Sequence, residues 1–111
     1  GLGLAGIAAA CCGAQVAVTD LQANVLALKE NCRINSARVA SAGGSVTAAE
    51  LDWNVIAGGG EAASASVSRL KDCIGGSPEL LLGSDITWAS GLCQVLASTV
   101  VELVAGDDED R

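Results

Sequence analysis

The sequence predicts an α/β fold built on an open parallel sheet, and three observations predict it. A glycine run leads into an Ala-rich stretch and then the short apolar segment Val16-Ala17-Val18-Thr19. Two further segments, at 45–51 and 79–83, have strand character and are followed by acidic residues. Between and after them lie stretches of helical periodicity. The resulting order of helix, strand, helix, strand, loop, strand, helix implies parallel strands joined by right-handed crossovers.

The first helix is expected over 3–12, where alanine favours helix and Gly13 stands in place for a left-handed closing residue. The strand 16–19 follows within a few residues and ends on Asp20. Leu21, Val25, Leu28 and Cys32 recur at offsets 0, 4, 7 and 11, one apolar stripe on a helix that ends near Asn35 and packs against the sheet. Ala42-Gly43-Gly44 reads as a turn of small residues. The second strand, 45–51, offers Val46, Ala48 and Leu51 to the core and leads to Asp52-Trp53.

Residues 54–77 are rich in Gly, Ala and Ser and broken by Gly58-Gly59-Gly60 and Gly75-Gly76, so a long loop inserted at the surface is expected. Val67, Leu70 and Ile74 are spaced for a short helix over 63–73 as the alternative. After Pro78, Glu79-Leu80-Leu81-Leu82-Gly83 has the continuous apolar character of a strand buried on both faces, closed by Ser84-Asp85. Leu92, Val95, Leu96, Thr99, Val100 and Leu103 follow offsets 0, 3, 4, 7, 8 and 11, a final amphipathic helix with Ser90 as its N-cap.

At 111 residues the chain is long enough for one domain and short for a complete nucleotide-binding α/β enzyme. Half of it is hydrophobic, yet no stretch reaches the roughly 18 apolar residues of a membrane span, so a membrane is excluded as a partner. Residues 1–12 resemble the apolar core of a secretion signal, but no basic residues precede them and glycines interrupt them. A net charge of −7, with Asp107, Asp108, Glu109 and Asp110 together, disfavours nucleic acid by repulsion. That acidic run reads as a solvated loop. Cys11, Cys12, Cys32, Cys73 and Cys93 form neither a CxxC pair nor a disulfide framework, and there is no His to complete a zinc site, so no metal is expected. Reduced thiols fit a cytoplasmic location, with the nucleus as a second compartment.

In an open α/β sheet the ligand binds outside the carboxyl ends of the strands, and here these ends carry Asp20, Asp52-Trp53 and Ser84-Asp85. Each alone is weak, since an acidic residue at a strand end is often a helix cap or a turn former. Gly1-Leu2-Gly3-Leu4-Ala5-Gly6 satisfies the G-x-G-x-x-G pattern, which makes an NAD(P)-dependent oxidoreductase one reading. The acidic residue stands 17 positions after Gly3, however, short of the roughly 20 usual for a dinucleotide site. A nucleotide ligand without a pyrophosphate fits better.

Taken in order, Gly1 to Ala9, Val16 to Asp20-Leu21, Asn31 with Asn35, Leu51-Asp52-Trp53, and Leu82 to Trp88 resemble the seven-stranded, S-adenosylmethionine-dependent protein-lysine methyltransferases of the methyltransferase-like 21 type. The resemblance covers nearly the whole chain outside 54–77. It implies a Rossmann-like, doubly wound parallel sheet, here incomplete at both ends. It further implies transfer of a methyl group from S-adenosylmethionine to a lysine of a non-histone protein, by a monomer. Carried over to this sequence, Gly1 and Gly3 line the methionine part of the cofactor, and Asp20 with Leu21 meets the ribose. Asp52 and Trp53 flank the adenine, and Ser84 lies under the cofactor. Asp85 and Trp88 occupy the acidic-x-x-aromatic motif that faces the substrate amine, with Trp88 standing where Tyr or Phe is usual.

The family's first strand, before the glycines, and its later elements fall outside residues 1–111, so this piece is expected neither to fold stably nor to bind the cofactor tightly by itself. A degenerate methyltransferase-like domain kept for protein interaction is a third reading, and an acidic-x-Gly-x run before Gly1 would argue against it.

Overall fold

In the computed structural model, which describes residues 1–84 and 86–105, the glycine turn sits ahead of helix α1, Leu4–Ala10. Gly3 caps that helix at φ 87°, a left-handed conformation that an L side chain adopts only with strain. Gly13, at φ 98°, closes the turn beyond α1, and strand β1, Gln15–Asp20, follows. Helix α2, Gln22–Ile34, short helix α3, Ser36–Ser41, and strand β2, Ser45–Glu50, come next.

β1 and β2 pair in parallel, from Gln15 opposite Ser45 to Asp20 opposite Glu50. Their core cluster takes Ile7 from α1, Val18 from β1, and Leu28 and Cys32 from α2, with Val16, Val46 and Ala48 partly buried against it. Leu28 is 1% exposed; burying such a side chain contributes about 1.5–3 kcal/mol before the cost of ordering it. The predicted stripe of α2 is buried at Val25, Leu28 and Cys32, whereas Leu21 precedes the helix and is half exposed. Val39 of α3 is buried too, continuing the stripe seven residues beyond Cys32.

Where a long loop is expected over 54–77, the chain forms helices α4, Trp53–Gly58, and α5, Gly60–Ile74. Gly59 and Gly60, at φ 68° and 75°, punctuate the two helices rather than dissolving them. Alanine and serine suffice for α5 because Ala63, Ser66 and Leu70 fall on one buried face. Helix α6, Ser90–Val104, matches its expected span and buries Thr99 and Leu103. Its N-cap is Ala89, with no side-chain cap, so Ser90 is the first helical residue and not the cap.

The expected strand at 79–83 is not formed. Leu80 and Leu82 are 72% and 62% exposed, and the sheet of the described residues consists of β1 and β2. A strand exists only where a neighbour accepts and donates along its backbone, and an apolar run alone supplies no such neighbour.

The chain divides into two compact units. The first is Gly1–Asp52 with Cys73–Gly75, and holds the sheet; the second is Trp53–Asp72 with the described residues from Gly76 onward. In the second, α4 packs on α6 and the Lys71 ammonium donates to the Ala105 carbonyl at 3.0 Å. Among the described residues no helix is long and apolar enough to cross a membrane, and no group of three His, Cys, Asp or Glu could hold a metal ion.

Candidate active site at the carboxyl ends of the strands

The ladder between β1 and β2 runs to the last residue of each strand. One step further, the Leu51 amide donates to the Asp20 carbonyl at 2.9 Å, and Leu51 itself is buried. Asp20 and the Leu51-Asp52 segment are therefore held on one edge of the sheet by backbone bonds, as the strand-end reading expects.

Asp20 is engaged through both carboxylate oxygens. Its Oδ1 accepts from the Leu21 amide at 2.7 Å and from Asn24 Nδ2 at 3.1 Å; its Oδ2 pairs with the ammonium of Gly1, the first residue of the sequence given, at 2.8 Å. Burial works to raise the carboxyl, but the bonds from Gly1, Asn24 and Leu21 outweigh it and hold the group below its ordinary range. The alternative that Asp20 merely caps α2 does not hold, because the cap position is Leu21 and no side chain closes it. The strand-end aspartate thus faces the glycine turn.

That turn is tied to α2 through one asparagine, whose own backbone carbonyl is capped by a second. Asn31 Nδ2 donates to the Leu2 carbonyl at 2.8 Å, while Asn35 Nδ2 donates to the Asn31 carbonyl at 2.8 Å. A Cβ on Gly3 would stand 3.1 Å from Leu28 Cδ2, so this glycine serves the core as well as the turn. Gly6 acts on packing alone. A Cβ there would collide with Val18 and crowd Val16, so its absence lets α1 lie directly on β1. These are the turn and close-packing roles of a glycine-rich nucleotide loop. An open groove of about 500 Å³ beside the turn, lined by Leu2, Leu4, Ile7 and Arg38 among others, includes neither Asp20 nor Asp52 and is not this site.

Gly1, Gly3, Asp20, Leu21 and Asp52 all belong to the first unit, and the structure brings Gly1 and Leu21 onto Asp20 directly. Trp53, Ser84 and Trp88 belong to the second. Trp53 is half-buried as the first residue of α4 and Trp88 is 79% exposed. Ser84 is exposed on a bend rather than at a strand end, because the strand before it is not formed. Asp85 and the acidic run 107–110 lie outside the described residues. Sequence reasoning missed Asn24, and named Asn31 and Gly6 only as members of a motif, without an individual role. The i+4 spacing of Asn24 from Asp20 and the third glycine of the fingerprint were the available signals.

A family model for lysine methyltransferases matches residues 1–109. The chain belongs to the lysine methyltransferase family. No curated protein and no solved structure matches it significantly. Membership sets methyl transfer above the oxidoreductase reading that the glycine pattern alone allowed, and it makes the chain part of an enzyme that methylates lysine in a protein substrate.

Proposed function

We propose that this lysine methyltransferase uses S-adenosylmethionine, held at the carboxyl ends of β1 and β2, to methylate a non-histone protein. The observation that carries the cofactor reading is the Asp20 carboxylate at the end of β1, whose Oδ1 is fixed by the Leu21 amide and Asn24 Nδ2. A nucleoside presents vicinal hydroxyl donors, and an ionised carboxylate beside a backbone turn is the acceptor they require.

When bound, S-adenosylmethionine supplies an electrophilic methyl group on a sulfonium. Asp20, with Leu21 beside it, binds the ribose. Gly1 and Gly3 would line the methionine portion, and the resemblance gives Asp52 and Trp53 the role of flanking the adenine and Ser84 that of supporting the cofactor. Asp85 and Trp88 orient the substrate amine, a carboxylate and an aromatic face being suited to an ammonium or amine. The contribution of these groups is alignment and exclusion of water rather than covalent chemistry. In this reading β1 and β2 are neighbours in a larger doubly wound sheet, and the enzyme is a cytoplasmic monomer that acts without nucleic acid or membrane.

The test is methyl transfer to cell extract by the full-length protein, with S-adenosylhomocysteine affinity measured for wild type, Asp20→Ala and Trp53→Ala. Both substitutions are expected to weaken binding, Asp20→Ala by about tenfold or more, as befits a lost charged hydrogen-bond acceptor. Unchanged affinity in both would remove the assignment.

A further inference from the structure

The two oxygens of Asp20 are used differently. Oδ1 takes two donors, the Leu21 amide at 2.7 Å and Asn24 Nδ2 at 3.1 Å, both from the chain immediately after the strand. Oδ2 faces the glycine turn, 2.8 Å from the Gly1 nitrogen. A carboxylate bound through one donor retains freedom about its terminal torsion, which is broad and roughly two-fold. A second donor on the same oxygen, arriving from a helix turn away, removes much of it.

Packing does not account for Asn24. It is exposed, so it buries no core surface, and asparagine is a poor residue for the body of a helix. Its place in the first turn of α2, four residues after Asp20, sets its amide at the carboxylate. We propose that Asn24 is a positioning residue of the cofactor site: it holds Asp20 Oδ1 so that Oδ2 is presented on the glycine-turn side to a ribose hydroxyl. The inference rests on the reading of Asp20 as the ribose acceptor.

The experiment is calorimetric titration of the full-length protein with S-adenosylhomocysteine and with its 2′,3′-dideoxy analogue. The variants are Asp20→Ala, Asn24→Ala and the double substitution. Asn24→Ala is expected to weaken S-adenosylhomocysteine about fivefold, the share of one hydrogen bond, and to leave the affinity for the dideoxy analogue unchanged. In the Asp20→Ala background it should add nothing, because its only target is gone. Wild-type affinity in Asn24→Ala, an equal loss for both ligands, or additivity with Asp20→Ala would each overturn the positioning role while leaving the ribose reading intact. Should Asp20→Ala itself bind S-adenosylhomocysteine as wild type does, the ribose reading falls, and the role of Asn24 falls with it.

Discussion

Asn31 Nδ2 donates to the Leu2 carbonyl at 2.8 Å, which ties the third turn of α2 to the glycine turn 29 residues earlier. This side-chain bond adds a polar tie to the packing of Leu28 beside Gly3. Asn31→Ala is expected to cost about 1 kcal/mol, the ordinary net worth of such a bond, read as a lower urea midpoint at unchanged slope. Asn31→Asp, which removes the donor and sets a carboxylate against a carbonyl, should cost at least as much; a midpoint equal to wild type in both would mean the tether carries no stability.

Gly6→Ala tests the contact between α1 and β1. The added Cβ collides with Val18, so a loss of about 1–3 kcal/mol is expected, as for other overpacked cores. Gly91→Ala is the matched control, since nothing lies within 4 Å of its Cβ and it should lose no stability. A Gly6→Ala variant as stable as Gly91→Ala would show that α1 does not lie on the strand.

Leu28→Ala and Leu26→Ala separate the two faces of α2. Leu28 is 1% exposed, and its truncation should cost about 2–5 kcal/mol; Leu26 is 78% exposed and should cost within about 0.5 kcal/mol. Equal losses in denaturant titrations would contradict the buried stripe.

Acid unfolding reports on Asp20. Its carboxyl is held below the ordinary value in the folded chain, so the unfolded state takes up the proton first as pH falls. The associated stability is therefore full above the unfolded carboxylate value, about pH 4, and is lost as pH drops through the lower folded value. In Asp20→Asn this part of the acid limb should be absent, making stability flatter with pH below about 4. An unaltered limb would show that Asp20 is not held in its ionised form.

Thiol reactivity checks the burial pattern. Cys12 and Cys93 are exposed and should react with a thiol reagent at once in the native protein. Cys32 is buried in the core, and burial pushes its thiol upward, so it should react only on unfolding. Fast labelling of Cys32 would place the cluster around Leu28 in doubt.

Where the sequence carried its own geometric constraint, it was legible. The 3.6-residue stripe at Val25, Leu28 and Cys32 located α2, and Val16 with Val18 located β1, because these patterns bury a face whatever surrounds them. The run Leu80-Leu81-Leu82 misled for the opposite reason: hydrophobicity shows that a segment wants burial, while a strand needs a partner that lies elsewhere in the chain. Residues 53–74 misled because alanine and serine look like loop when flanked by glycines, although Ala63, Ser66 and Leu70 share a helical face. Among the candidate site residues, Asp20 and Gly3 were legible from strand end and glycine spacing. Asn24 and Asn31 were not, since their bonds depend on where α2 begins and on how it meets the glycine turn.

The unbroken parallel register from Gln15 and Ser45 to Asp20 and Glu50 has a consequence for how this fold can change. The spacing between Asp20 and the residues after β2 is set by a backbone ladder, not by the intervening segment. Lengthening the Ala42-Gly43-Gly44 turn should leave both chemical ends in place, whereas one residue inserted within either strand would reverse the faces of everything beyond it. Changes of length are thus tolerated in the turn and not in the strands, and the two strand ends move together as one piece.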